Sequence, residues 1–296
     1  MKQMPRIQLF AILFLITLTA AMCAPQATAP LPPAQTSIKP TATTIVQPTS
    51  MPIRATATIA QPTLTATEPP IEPTLTPILD TAIPTAGRLA AQVVAFKTAD
   101  GATISAELYG AGDTAVIFSV MGNCKQGWTE VAQAAAAQGL LAMTYQWRGC
   151  TTDPNNETLL KQFVEDTRGA IAFARSHGAQ RIILVGASLG GCASAKLSGE
   201  DGVIGLVAVA SPDEIKQWNF RIDAADVATT IPKLFITAEN DSVVPATATR
   251  ALHDLAAEPK EWQTYPGTAH GTDLFATQFG PAVSERILKF LLDTAT

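Results

Sequence analysis

From Gly87 onward, apolar and polar positions fall into two alternating periods. Val93 to Phe96 and Ile104 to Tyr109 are short β-prone runs flanking Asp100-Gly101, a dipeptide that supplies the positive φ angles of a tight turn, so they predict a β-hairpin. Ala115 to Val120 is apolar without a break, the pattern of a strand buried on both faces. Trp128 to Gln138 then reads as a helix and Leu140 to Tyr145 as a strand. Glu157 to His177 reads as one long amphipathic helix with Gly178 as its C-cap. Further strands are predicted at Arg181 to Val185, Val203 to Val209, Lys233 to Thr237 and Glu261 to Tyr265. Helices separate them, including Ala246 to Ala257, and Val283 to Leu292 closes the chain. Strands alternating with helices imply parallel pairing, right-handed crossovers and helices on both faces of an α/β sheet. In such sheets reactive groups gather on the loops beyond the carboxyl ends of the strands.

The first third of the chain has neither period. Lys2 and Arg6 precede an apolar run from Ile7 through Leu18, and small residues follow at Thr19, Ala20 and Ala21. That order predicts a secretory signal peptide over residues 1–23, because the run falls short of the roughly 20 apolar residues of a spanning helix. Cys23 stands where bacterial lipoproteins carry their lipid-attachment cysteine. Met22 departs from the small residue that this pattern prefers before it, and ordinary cleavage after Ala21 or Ala24 is the alternative. Lipidation of Cys23 would tether the exported protein to a membrane. Residues 24–86 are dominated by Pro, Thr and Ala, with no glycine or aromatic residue and only Lys39, Arg54, Glu68, Glu72 and Asp80 as charges. Such a segment cannot offset its chain entropy by burying apolar surface, and its prolines block helix and sheet ladders. It reads as a disordered, semi-rigid Pro/Thr-rich linker whose composition would suit O-glycosylation. One domain, residues 87–296, is left to carry the chemistry.

Charge narrows the partners. Lys and Arg total 20 against 25 Asp and Glu, a net charge of −5, and no basic block is long enough to attract a polyanion, so nucleic acid is not expected. No residue pattern calls for a metal or an organic cofactor, and none sets an oligomeric state.

The strand Ile182-Ile183-Leu184-Val185 runs straight into Gly186-Ala187-Ser188-Leu189-Gly190-Gly191 and then a helix. Gly-x-Ser-x-Gly between strand and helix forms a nucleophile elbow, a strained turn that projects the serine hydroxyl past small neighbours. A serine hydroxyl needs a base to take its proton, and the base needs a third group to fix its tautomer. Of the three histidines, His177 ends a helix and His253 lies inside one, whereas His270 occupies the loop Gly267-Thr268-Ala269-His270-Gly271 after the last strand. His270 is the expected base. The loop Ala238 to Pro245 offers Asp241 as the acid, with Glu239 as its neighbour and rival and Asp213, after the preceding strand, as a further candidate. Leu189 N–H, at a helix start, can donate to an oxyanion. A second donor is expected from the loop Met121-Gly122-Asn123-Cys124, with Asn123 N–H preferred.

From about residue 93 to 292 the sequence resembles the α/β-hydrolase superfamily, nearest in style to small, lid-poor esterases of the dienelactone-hydrolase-like or BAAT-like kind. The resemblance rests on Met121-Gly122-Asn123, on Tyr145-Gln146-Trp147-Arg148-Gly149 in place of Asp-x-Arg-Gly, on the serine elbow, and on the Asp241 and His270 loops. The order Ser, Asp, His is the one this fold uses. Met121 replaces the usual histidine, and Cys124 and Cys150 stand where Gly, Ser or His are common. Serine in the elbow argues against the cysteine chemistry of dienelactone hydrolases and the aspartate chemistry of dehalogenases. The resemblance implies a sheet of about eight strands. It also implies hydrolysis of a carboxylic ester through an acyl-serine intermediate, with a small-molecule ester or other acyl compound as substrate. A thioesterase or peptidase would use the same triad, and a retired hydrolase serving as a binding module is a reading of another class. Only Ser211 to Pro232 separates two core strands where many lipases insert a lid, which implies an open site. Trp128, Trp147 and Trp218 fall in or near loops on the active face, as packing or as substrate platform. The fold also makes the strands before Cys124 and Cys150 neighbours, so export would allow a disulfide there, leaving Cys192 free; Cys150 with Cys192 is the alternative pair.

Overall fold

The computed structural model describes residues 89–152 and 156–296. The predicted signal peptide, Cys23 and nearly all of the linker lie outside the described residues. The chain runs β1 (Gln92–Lys97), β2 (Thr103–Tyr109), β3 (Thr114–Ser119), α1 (Thr129–Ala137), β4 (Leu141–Tyr145), α2 (Arg148–Thr152), α3 (Glu157–Leu160) and α4 (Phe163–Ser176). It continues through β5 (Arg181–Ala187), α5 (Leu189–Lys196), β6 (Val203–Val209), β7 (Glu214–Ile215), β8 (Phe220–Arg221), β9 (Lys233–Ala238), α6 (Ala246–Leu255), β10 (Lys260–Tyr265) and α7 (Gly280–Ala295). Eight strands form one sheet in the order β1-β2-β4-β3-β5-β6-β9-β10. From β4 to β10 all neighbours are parallel, and β2 runs antiparallel to both β1 and β4.

The hydrophobic pattern follows position in this sheet. Every residue of β3, β4 and β9 is buried, as the helices on both faces require. Of the edge strands, β1 is largely exposed and β10 mostly half-buried. The β1–β2 turn differs from the expected two-residue turn: residues 98–102 form a longer loop closed by Thr98 N–H donating to Ala102 O at 3.0 Å. Gly101 alone takes a positive φ, +89°, and Asp100 instead turns its carboxylate to Arg148.

The helix expected from Glu157 to His177 is broken. Asn156 caps α3 by accepting from Leu159 N–H at 3.2 Å, and the chain re-enters helix only at Phe163. The break falls between Leu160 and Phe163, both of which are buried. Gly178, at φ +93°, ends α4 with the paired bonds Ala179 N–H to Ala174 O and Gly178 N–H to Arg175 O, a Schellman closure.

Two polar clusters fasten the sheet beneath the loops. Tyr145 OH lies 2.8 Å from Ser119 Oγ and 2.7 Å from Thr167 Oγ1, linking β4, β3 and α4. Burial pushes the Tyr145 phenol far above its usual range, so it stays a neutral hydrogen-bonding group. Asp166 is wholly buried and accepts from Arg148 N–H at 2.9 Å and Arg148 Nε at 2.7 Å. Burial raises the Asp166 carboxyl, and Arg148 opposes that rise. Removing the guanidinium would strand this carboxylate, so Arg148→Met should cost about 3–5 kcal/mol of stability. Urea unfolding of the variant beside the parent protein measures the loss.

Candidate active site

Ser188 sits between β5 and α5 at φ +53°, ψ −119°, a backbone geometry that costs an L-residue about 1–3 kcal/mol. Close packing holds it there. Its N–H donates to Val209 O on β6 at 2.8 Å, and its carbonyl accepts the first α5 bond, from Cys192 N–H at 3.0 Å. A Cβ at Gly186 would come within 2.2 Å of Gly190 C, and one at Gly190 within 2.4 Å of Ser119 O. Glycine at these two positions lets α5 start directly against β5 and β3, with Ser188 half-buried at the turn.

The parallel register of β9 and β10 puts their following loops side by side. Asn240 N–H donates to Gly267 O at 3.0 Å and Ser242 N–H to Thr268 O at 3.2 Å, so the loops are laced by backbone bonds. Across them His270 Nδ1 lies 2.9 Å from Asp241 Oδ2 and 3.1 Å from Oδ1. Asp241 Oδ1 also accepts from the N–H groups of Val243 and Val244, both at 2.9 Å, which fixes the carboxylate before it meets the imidazole. Both side chains are largely buried. Of the three candidate acids, Asp241 is the one that meets His270: Glu239 is exposed, and Asp213 follows β6 on a different loop. Gly271 carries the histidine loop onto the elbow, since a Cβ there would lie 3.3 Å from Ala187 Cβ, next to Ser188. The other two histidines sit elsewhere. His253 packs edge-on to Phe235 and Trp262, and His177 caps α4 at the surface.

The loop after β3 lies on the elbow's other side. Cys124 N–H donates to Met121 O at 3.0 Å to close a turn, and a Cβ at Gly122 would lie 3.4 Å from Leu189 Cδ2. The backbone of Gly122 and Asn123 therefore runs beside Leu189. Asn123 is exposed and its Oδ1 accepts from Lys125 N–H at 3.0 Å. Cys124 takes φ +62° and is disulfide-bonded to Cys150 of α2, with Cα atoms 5.5 Å apart. Met121 O accepts from Trp147 Nε1 at 3.1 Å, an anchor that the sequence pattern gave no sign of. Cys192 is the free thiol among the described residues, buried and donating to Pro212 O at 3.3 Å, and burial pushes it well above the usual thiol range.

The tryptophans divide. Trp128 and Trp147 are fully buried, their indole N–H groups bonded to Ser119 O and Met121 O, so they are core packing rather than parts of an open face. Trp218 does face a cleft of about 370 Å³ that also touches Ser188, Leu189 and Gly122. The segment between β6 and β9 is short, as read from the sequence, and it folds into the two-strand hairpin β7–β8, which sequence patterning missed because two-residue strands show no period.

This arrangement matches known folds. A Pyrococcus furiosus esterase superposes with a TM-score of 0.56 at 13% identity, covering 70% of this chain and 94% of that one. An α/β hydrolase from Penicillium sp. sh18 gives 0.56 at 18%, covering 70% and 99%. The chain has the α/β-hydrolase fold. Thermogutta terrifontis esterase 2, phosphoramylated by tabun, gives 0.56 at 18%, covering 69% and 94%. No protein-family model and no curated protein matches the sequence. Among the described residues, no group of three or more His, Cys, Asp and Glu is placed to hold a metal ion, and no helix is long and apolar enough to cross a membrane.

Because the Cys124–Cys150 bond ties the β3 loop, which runs beside Leu189, to α2, Cys150→Ser should lower kcat of any Ser188-dependent reaction about tenfold or more while KM changes little. Steady-state kinetics of this variant, with thermal melting to confirm folding, checks it.

Proposed function

We propose that this protein is a serine hydrolase that cleaves a carboxylic ester through an acyl-serine intermediate. The observation that carries this reading is the Asp241–His270 pair, laced by its loops and brought by Gly271 onto the elbow that presents Ser188. In the reading, His270 Nε2 takes the proton from Ser188 Oγ as the oxygen attacks the acyl carbon, and Asp241 holds Nδ1 protonated and stabilises the imidazolium. The backbone N–H groups of Leu189 and Asn123 receive the oxyanion charge, with the start of α5 adding its dipole. His270 then returns the proton to the leaving alcohol, and water repeats the cycle on the acyl-enzyme. The esterase names of the Pyrococcus and Thermogutta structures support the choice of ester over thioester or peptide bond, which the same triad would also cleave.

In this proposal residues 87–296 carry catalysis, residues 1–23 direct export, the Pro/Thr-rich segment 24–86 is the linker and Cys23 is the site of lipid attachment to a cell surface. The disulfide supports export, since such bonds persist in oxidising compartments. Radiolabelled fatty-acid incorporation into the parent chain, absent from Cys23→Ala, is the expected result for the anchor.

Ser188→Ala should retain the fold and lose on the order of 10⁴-fold or more in kcat on short-chain esters, with a small residual from the oxyanion donors. A fluorophosphonate probe should label the parent chain and not this variant. Failure to label the folded parent would favour the retired binding module. Asp241→Asn should cost about 10⁴-fold. Asp213→Asn and Glu239→Gln, which do not meet His270, should each stay within about tenfold of the parent rate, so a larger loss in either relocates the acid.

A further inference from the structure

The cleft beside Ser188 has an uneven chemistry. Its walls are apolar, from Leu160, Ile215, Trp218, Val243 and Val244, yet one of its lining residues is the acid Glu214, and no Lys or Arg lines it. Glu214 and Trp218 come from the same β7–β8 hairpin, and Ile222 and Val227, both fully buried, pin the chain that follows it. The wall is thus held in place before a ligand arrives. Glu214 is half-buried and, among the described residues, pairs with Lys216, 3.2 Å away, whose side chain is 82% exposed. A pair with so exposed a lysine is worth little, and a cation bound in the cleft can replace it. Arg221 stands opposite Glu214 in the β7–β8 pairing but is exposed and does not line the cleft. Val243, at the rim, is one of only three large apolar side chains exposed among the described residues.

An apolar enclosure with an indole and a carboxylate is the chemistry that receives an alkylated ammonium group: the ring face and the carboxylate attract the charge while the walls cover its carbon atoms. We propose that the Ser188 cleft selects esters bearing a positively charged, alkyl-substituted nitrogen, and that Glu214 and Trp218 are the residues that select them. This rests on the hydrolase reading and adds a substrate class to it. Esters carrying a free carboxylate are disfavoured by the same field.

The test compares butyrylcholine with its uncharged analogue, in which a quaternary carbon replaces the nitrogen, and trimethylglycine ethyl ester with its own carbon analogue, so that both sides of the scissile bond are sampled. The parent chain should favour the charged member of at least one pair by about tenfold or more in kcat/KM, and the ratio should shrink as salt rises. Glu214→Gln should bring that ratio near one and Glu214→Lys should invert it. Trp218→Leu should reduce it through KM rather than kcat. Equal rates within both pairs, or a preference that survives Glu214→Gln, overturns the inference while leaving the hydrolase reading intact. Absence of Ser188-dependent hydrolysis of all four esters would remove both.

Discussion

The left-handed backbone of Ser188 is the constraint on which the rest of the site depends. A residue held at φ +53° is kept there by what surrounds it, and here the surroundings are three strands meeting one helix start. β6 supplies the acceptor for Ser188 N–H, β3 leaves room for Gly190 only because that residue lacks a Cβ, and β5 ends in Gly186 for the same reason. Shifting any of these strands by a residue would remove the support, so sheet register and elbow geometry are a single requirement. The cost of the strained turn is met by buried apolar strands that pack regardless of it.

A second requirement is that the loops around the elbow stay where their strands leave them. Loops over an open sheet edge are the easiest parts of such a fold to displace, because few buried contacts hold them. Each one here has a specific fastening. The β9 and β10 loops are tied by backbone bonds and by Asp241, whose carboxylate accepts from Val243 and Val244 while facing His270. The β3 loop is tied by the Cys124–Cys150 bond and by Trp147 Nε1 on Met121 O. Arg148, next to Trp147, is in turn set by buried Asp166. The fastenings thus form a chain from the core helix α4 to the turn beside Leu189.

The same economy explains the cleft. With only residues 211–232 between β6 and β9, there is no helical lid, and the β7–β8 hairpin forms one wall. A short wall anchored by Ile222 and Val227 leaves Ser188 half-exposed beside a fixed surface of one indole and one carboxylate among aliphatic side chains.

Sequence by itself determined the strands of the main sheet and the order in which helices separate them, because the central strands are apolar on both faces and the helices carry a different period. It also placed Ser188 and His270, since a glycine-flanked serine between strand and helix and a histidine in the last strand's loop are local features. What remained open were matters of distance. Asp241, Glu239 and Asp213 are alike as carboxylates after strands, and only the alignment of β9 with β10 brings the first of them to His270 Nδ1. Cys124 could meet Cys150 only if β3 and β4 were neighbours, a pairing that no local pattern states. The break at Lys161–Gln162 left no mark in the sequence, because Leu160 and Phe163, three residues apart, keep the spacing of one continuous helix face. Trp128 and Trp147 read as residues in or near loops, open to either packing or substrate contact, yet their indole N–H groups found buried carbonyls, and a ring with its polar atom satisfied is buried for its apolar area. Local chemistry is written in neighbouring residues, whereas partners far apart in the chain are chosen by the sheet that brings them together.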